Sequence, residues 1–336
     1  MSDKARFIML VGLPASGKSS LAKDMSELRE DVVYLSSDKI REELYGDESI
    51  QQDHSKVFVL MAQRTKEALK SGKHVIYDAT NVNRKKRKGL LQQLPRNIKK
   101  TVVYMATDYN DVLAQNESRE RKVPKHSIDR MYKTMQIPIY SEGWNDIGFL
   151  HHNNTLDTEL PKQVSDAIRA GVLLGREGYE LMQFLATYFN PFSDVYELSQ
   201  DSKYHNFSVS RHIYYVYREV LENYETEDET EKEMMLWTAL LHDVGKKFSK
   251  SFYNREGEET RYANFIGHEN VSSQMAVIIL KQLGFGDEFI HTVATLIQFH
   301  MYLLDSNANR EKLLGYVGED LYKKLEFLRD ADTKAH

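Results

Sequence analysis

The apolar positions of this chain change rhythm near its middle. Over roughly the first 110 residues, short apolar runs alternate with stretches in which apolar residues recur every three to four positions. The runs Phe7–Val11, Val32–Leu35, His74–Tyr77 and Thr101–Met105 predict buried strands. Between them Ser55–Lys70 predicts a helix, with Val57, Leu60, Met61, Ala68 and Leu69 on or near one face. Such alternation predicts a parallel sheet with helices on both sides. After about residue 140 the strand signal fades, and Ser141-Glu142-Gly143-Trp144 and His151–Thr155 read as a connecting segment. From about Gln163 the pattern is helical: Tyr179–Phe189, Ser208–Asn223, Glu231–His242, Val271–Leu283, Asp287–Leu304 and Glu319–Ala335. Turn signals at Asn190-Pro191, Gly245 and Gly284-Phe285-Gly286 separate them. The expected organisation is an α/β domain over residues 1–152, a linker over 153–174 and an all-α domain over 175–336. The sequence shows no internal repeat or low-complexity tract.

The first strand runs into Gly12-Leu13-Pro14-Ala15-Ser16-Gly17-Lys18-Ser19, which fits the phosphate-loop pattern G-x-x-x-x-G-K-[ST]. Ser20–Met25 then reads as the first turns of a helix. This strand–loop–helix context is what the pattern needs. Glycines let successive N–H groups point at phosphate oxygens, and the helix adds its positive end. Gly12, Ser16, Gly17, Lys18, Ser19 and Ser20 are therefore the candidate triphosphate-binding residues. Lys18 is expected to reach the β/γ-phosphates and Ser19 to hold Mg²⁺, with ATP as the donor.

Charge refines the picture. The chain carries 45 Lys and Arg against 50 Asp and Glu. The balance is about +6 over residues 1–150 and about −11 over 151–336. The first half suits a polyanion; the second is a poor partner for broad nucleic-acid binding. The acidic run Glu225–Glu233 reads as a solvated loop. The chain has no Cys, which excludes disulfides and thiolate metal sites and fits a cytoplasmic location. No apolar run approaches the ~20 residues that span a bilayer, and the charged N-terminal segment does not read as a signal peptide.

Asp38 and Arg41 follow the second strand and share one face of a nascent helix. Two readings fit. Asp38 can accept a proton from an attacking hydroxyl while Arg41 clamps an acceptor phosphate, or Asp38 caps the helix and Arg41 is a surface charge. Asp78, just after another strand, can orient the Mg²⁺ hydration shell or bond Thr80 or Asn81 in a turn. The run Arg84-Lys85-Lys86-Arg87-Lys88 points all round a helix. It is either a solvated basic helix or a patch for an acceptor strand's phosphates.

Taken in order, Gly12–Ser19, Ser37-Asp38-Lys39-Ile40-Arg41, Asp78-Ala79-Thr80-Asn81, Asn116-Glu117-Ser118-Arg119 and Val123-Pro124…Met131-Tyr132-Lys133-Thr134-Met135 resemble the phage-type polynucleotide 5′-kinase domain over about residues 5–140. The resemblance implies that Asp38 is the general base. It implies that Arg41 holds the acceptor 3′-phosphate and that Arg119 is a lid arginine on the donor phosphates. Charge neutralisation of this kind is what phosphoryl transfer requires. Gln115 stands where related lids carry another arginine, for which Arg121 is the candidate substitute.

In the second half, His212, His242-Asp243, His268, His300 and Asp332 form an ordered series. Each alone reads as an ordinary core or surface residue; together they suit a first-row metal rather than Ca²⁺. The series resembles the HD phosphohydrolase superfamily over about residues 175–336, including the lead-in Tyr196–Asp201 and Tyr204-His205-Asn206. The resemblance implies a helical bundle around one or two metals among Mn²⁺, Co²⁺, Ni²⁺, Fe and Zn²⁺. His212, His242, Asp243 and Asp332 would form one set. His268 and His300 would extend it to a second metal through a bridging Asp243. Asp330 competes for the last position, and the resemblance selects Asp332. Lys246 either contacts a substrate phosphate or the bridging carboxylate, or is a surface lysine.

Together the two resemblances imply an end-healing enzyme. One half phosphorylates 5′-OH RNA or DNA ends; the other removes a 2′,3′-cyclic phosphate or 3′-phosphate, leaving ends for a nucleic-acid ligase. Two alternatives share the same motifs: a nucleoside or nucleotide kinase with a nucleotidase, and an ATP-sensing module that regulates an HD hydrolase.

Overall fold

The computed structural model describes residues 4–50, 52–151, 159–175, 178–202, 207–254 and 256–335. Two compact units divide at Thr155 and Leu156.

The first unit is built on five parallel strands: β1 (Arg6–Val11), β2 (Val32–Ser36), β3 (His74–Asp78), β4 (Lys99–Ala106) and β5 (Asp146–His151). Their order is β2-β3-β1-β4-β5, and every neighbouring pair is parallel. Helices α1 (Lys18–Glu27), α2 (Ser37–Tyr45), α3 (His54–Lys70), α4 (Arg84–Leu91), α5 (Tyr109–Ser118) and α6 (Lys125–Thr134) make the connections. The central strands are buried on both faces, which is why they read as continuous apolar runs. The strand order reverses at β1, whose carboxyl end opens into the glycine loop. In open parallel sheets that crevice is where ligands bind. Register places Leu10 opposite Asp78 and Ser36 opposite Asp78, so the ends of β1, β2 and β3 converge.

The fading strand signal after residue 140 is corrected here: β5 pairs with β4, Thr101 opposite Asp146. This strand lies at the sheet edge, only partly buried, and contains Gly148, so it lacks a strong apolar run. Glu142 and Trp144, expected in a connecting segment, are buried in the first unit. Arg87 is fully buried too, donating through Nε and Nη2 to Glu142 at 2.8 and 2.7 Å. Its Nη1 donates to the carbonyls of Asn81 and Gln136. The basic run is therefore neither a wholly solvated helix nor a continuous patch: Arg84 and Arg87 point inward, while Lys85 and Lys86 are exposed.

The second unit is helical: α7 (Lys162–Leu174), α8 (Glu180–Tyr188), α9 (Asn190–Val195), α10 (Val209–Asn223), α11 (Glu229–Leu241), α12 (Lys246–Ser249), α13 (His268–Gln282), α14 (Asp287–Phe299) and α15 (Arg310–Lys334). Its core includes Trp237, Leu240, Val277, Ile290 and Val293. A small antiparallel hairpin, β6 (Ser251–Tyr253) and β7 (Glu259–Asn264), interrupts the helices. Within the expected linker, residues 162–174 form α7, whose Arg169 pairs with the buried Glu233 at 2.9 Å; residues 153–158 lie outside the described residues. The acidic run Glu225–Glu233 is not a loop throughout. Asp228 caps α11 by accepting from Thr230 N and Glu231 N, and the following carboxylates lie at the positive end of that helix. The helix expected over Asp287–Leu304 changes at His300 into a 3₁₀ turn. The last helix starts earlier than expected, at Arg310, with a kink at Gly318.

Candidate functional sites

In the first unit the glycine loop closes as its sequence requires. Gly17 has φ 87°, a left-handed conformation open to glycine, and Lys18 is the first residue of α1. A Cβ on Gly12 would lie 2.7 Å from Ser16 Oγ and 2.9 Å from Met105 Cβ. Lys18 is buried, and its Nζ donates to the carbonyl of Leu13 at 2.5 Å and to Ser16 Oγ at 3.4 Å. Burial lowers its pKa to about 8, offset by Asp78 and Asp38 and reinforced by Arg119. Ser16 is buried, whereas Ser19 and Ser20 are exposed at the start of α1.

Ser19 Oγ donates to Asp78 Oδ2 at 2.8 Å, so two oxygen ligands suited to a hard cation lie side by side next to the lysine. Tyr34, which no sequence motif singled out, donates to the same carboxylate oxygen at 2.8 Å. Only the pairing of β2 with β3 brings it to Asp78. Asn81, with φ 51°, donates through Nδ2 to Leu10 O at 2.7 Å, and Gly12 N donates to Thr80 O. The Asp78–Asn81 turn thus supports the glycine loop directly.

Asp38 sits in the first turn of α2, which is capped by Ser36 rather than by Asp38. Arg41 is buried, and its Nη1 donates to Asp38 Oδ1 at 2.6 Å. Arg119 follows α5 and is exposed, and its charge acts on Lys18. Arg121 instead lies 3.5 Å from Asp38 Oδ2 and 3.1 Å from Glu48 Oε1.

In the second unit α10, α11, α13, α14 and α15 bring the ordered series into one buried cluster. His212 lies in the first turn of α10, His242 and Asp243 follow α11, His268 opens α13, His300 follows α14, and Asp332 is near the end of α15. Two overlapping sets share Asp243: His212, His242 and Asp243, and Asp243, His268 and His300. Asp332 joins the first set through His212 Nε2 at 2.8 Å. Asp330 is exposed on the same helix and pairs with Arg329.

The imidazoles are oriented by the backbone. Nδ1 of His212, His242, His268 and His300 lies 2.9, 2.7, 2.8 and 2.6 Å from the carbonyl oxygens of Ala335, Ala239, Phe265 and Ile297. A carbonyl only accepts, so each Nδ1 carries a proton, and in the neutral ring the lone pair is then on Nε2. The Nε2 atoms face one another, 3.4 Å apart for His212 and His242 and 3.3 Å for His268 and His300. Both oxygens of Asp243 are buried without a well-formed hydrogen bond, although Lys246 Nζ stands 2.6 Å from Oδ2. Converging imidazole nitrogens and an under-satisfied carboxylate could hold a divalent cation.

Electrostatics agree. Burial raises the Asp243 carboxyl, but Lys246 and His242 outweigh it and hold the group well below the usual carboxylate range. Burial and the neighbouring His242 and His268 lower His300 to about 3, leaving it a neutral ligand. Lys246 is buried, donating to Gln200 Oε1 at 2.8 Å, so its surface reading is set aside. Gln200 belongs to the lead-in segment; Tyr204, His205 and Asn206 of that segment lie outside the described residues. Among the described residues, no helix is long and apolar enough to cross a membrane.

No curated protein matches the chain. Similar solved structures include a chain of the Pnkp1/Rnl/Hen1 RNA repair complex, 18% identical with a TM-score of 0.36 over 39% of this chain and 44% of that one. A second structure of the Pnkp1/Rnl/Hen1 complex is 18% identical with a TM-score of 0.30, over 49% and 52%. The chain thus spans about half the length of these relatives. A gluconokinase from Sinorhizobium meliloti 1021 is 16% identical with a TM-score of 0.32, over 44% of this chain and 83% of that one. Residues 7–138 match the AAA domain family, and residues 204–334 match the HD domain family. The chain therefore joins a P-loop, kinase-like AAA domain to an HD domain.

Proposed function

We propose that this protein heals nucleic-acid ends, with ATP-dependent phosphorylation of a 5′-OH in its first domain and removal of a 2′,3′-cyclic phosphate or 3′-phosphate in its second. The observation that carries the reading is Asp38, paired with Arg41 on the helix that follows β2 and close enough to Lys18 to act on its charge. A triphosphate sensor has no need of a carboxylate there; a kinase does. Asp38 takes the proton of the 5′ hydroxyl as its oxygen attacks the γ-phosphorus and ADP leaves. Lys18, the amides of the glycine loop and Arg119 hold the donor phosphates, and Ser19 and Asp78 would hold Mg²⁺.

In the HD domain, His212, His242, Asp243 and Asp332 would hold one divalent cation, and Asp243, His268 and His300 a second, from Mn²⁺, Co²⁺, Ni²⁺, Fe or Zn²⁺. Bound there, such cations supply Lewis-acid activation of water and neutralise phosphate charge. The protein's own part is to fix the imidazoles through their Nδ1 protons and to hold Lys246 beside Asp243. RNA or DNA ends are the proposed substrates, and a ligase the proposed consumer of the product.

The test is one oligonucleotide with 5′-OH and 2′,3′-cyclic phosphate ends, assayed beside a 3′-phosphate end and mononucleosides. Asp38→Ala is expected to lower 5′-phosphorylation about 10²–10⁴-fold with ATP binding retained. Asp243→Ala is expected to abolish 3′-end hydrolysis alone. Turnover of mononucleosides with no use of oligonucleotides would replace end healing by small-molecule metabolism. Full activity of Asp38→Ala would remove the base.

A further inference from the structure

Asp78 Oδ2 accepts two hydroxyl protons, one from Ser19 Oγ and one from Tyr34, each at 2.8 Å. The donors come from different parts of the first domain. Ser19 lies in the first turn of α1, behind the glycine loop, whereas Tyr34 lies in the middle of β2. Sheet register sets the second contact. Ser36 stands opposite Asp78, and Tyr34, two residues earlier, shares its face of the sheet. The Tyr34 ring packs against the cluster of Leu10, Ala22 and Ile76, which come from β1, α1 and β3. Lys39 of α2 places its Nζ 4.5 Å from the ring centre. The ring is thus held by neighbouring elements while its hydroxyl reaches the loop.

A serine hydroxyl has one proton and two lone pairs. To offer a lone pair to a hard cation it must send its proton elsewhere, and Asp78 Oδ2 takes it. That arrangement lasts only while the carboxylate keeps its orientation. The last torsion of an aspartate is broad, so one hydrogen bond fixes it poorly. A second hydrogen bond, from a ring that is itself packed, narrows it. Asp78 is buried, where a hydrogen bond to a charged group is strong.

We propose that Tyr34 is a positioning residue for the Mg²⁺ site of the first domain: its hydroxyl fixes Asp78 and, through Asp78, the hydroxyl of Ser19. The proposal rests on the reading of the glycine loop as a Mg²⁺–triphosphate site and is independent of what accepts the phosphate. β2 then serves both sides of the transfer, the cation through Tyr34 and the acceptor through Asp38 on the helix that follows it.

The test uses the full-length protein and β,γ-imido ATP, whose affinity is measured by calorimetry at saturating Mg²⁺ and in chelator. Reading the cation through the nucleotide separates it from metal held by the HD cluster. Tyr34→Phe keeps the ring and removes the hydroxyl. It is expected to reduce the tightening of the nucleotide by Mg²⁺ about tenfold, the loss that follows when an outer partner of a metal ligand is removed. Affinity in chelator should stay within about twofold. Asp78→Asn should lose at least as much of the tightening, and Tyr34→Phe added to it should cost less than about twofold more, because the two residues act as one unit. Unchanged tightening in Tyr34→Phe, additive losses in the double variant, or an equal loss of affinity in chelator would each overturn the proposal. If Tyr34→Phe reduces the tightening in a protein that phosphorylates no 5′-OH end, the end-healing reading fails and the role of Tyr34 stands.

Discussion

His212 Nε2 and Asp332 Oδ1 lie 2.8 Å apart, joining the first turn of α10 to the end of α15. The same imidazole is held on its other side by the Ala335 carbonyl. Asp332 is buried, and its carboxyl is lowered: burial opposes the shift, but His212 outweighs it. The last helical turn is thus part of the cluster rather than a covering for it.

Asp332→Ala is expected to lower Mn²⁺ occupancy of the His212–His242 set at least about tenfold, since losing one of the four proposed ligands costs no less than losing an outer partner of a ligand. Asp330→Ala, two residues away and exposed, should leave occupancy unchanged. Metal content after dialysis, read by mass spectrometry, checks both. Equal occupancy in wild type and Asp332→Ala would remove Asp332 from the site.

ATP binding is expected to weaken as pH rises above about 8. Lys18 has its pKa lowered to about 8, first by burial, so its cation is present below that pH and lost above it. Bound triphosphate requires the cation, so binding above pH 8 must take up a proton. Affinity should fall toward about tenfold per pH unit. Calorimetry from pH 7 to 9.5, in buffers of different ionisation enthalpy, reads both quantities; a flat profile with no proton uptake would contradict the assignment.

Gly245→Ala is expected to disable the HD domain and spare the kinase. An added Cβ would meet Ser272 N at 2.7 Å and His268 O at 2.8 Å, both backbone atoms of α13. The turn carrying Asp243 must then move away from His268. Overpacking of this kind costs roughly 1–3 kcal/mol. Phosphatase and 5′-kinase assays on one preparation check it, and retained hydrolysis would show that α13 yields without cost.

Arg87→Ala is expected to destabilise the first domain by about 3 kcal/mol, because it takes the forked partner from the buried Glu142, which among the described residues keeps only Arg84 Nε at 3.6 Å and the donors Ile139 N and Trp144 Nε1. Replacing both partners, as Arg87→Met with Glu142→Leu, should recover most of that loss. Lys85→Ala and Lys86→Ala, both exposed, should leave stability unchanged. Urea unfolding followed by far-ultraviolet circular dichroism separates these outcomes. An Arg87→Ala protein as stable as wild type would make the pair dispensable.

What the sequence by itself determined is local. The apolar run Phe7–Val11, the glycine pattern and the following helix specify a phosphate loop, because strand, loop and helix occupy consecutive residues. The helices of the second half are legible from their 3.6-residue rhythm, and the ordered His and Asp residues are legible as a resemblance. Tertiary structure decided what depends on distant partners. The edge strand β5 exists because β4 offers it a free edge, not because Asp146–His151 has a strong pattern of its own. Arg87 and Lys86 are adjacent and equally basic, yet one is buried on Glu142 across 55 residues and the other is exposed. Arg121 meets Asp38 and Glu48 only through the fold. The two His and Asp sets share Asp243 because five helices converge on one core. Spacing along a chain encodes the faces of single helices; it does not encode which faces meet.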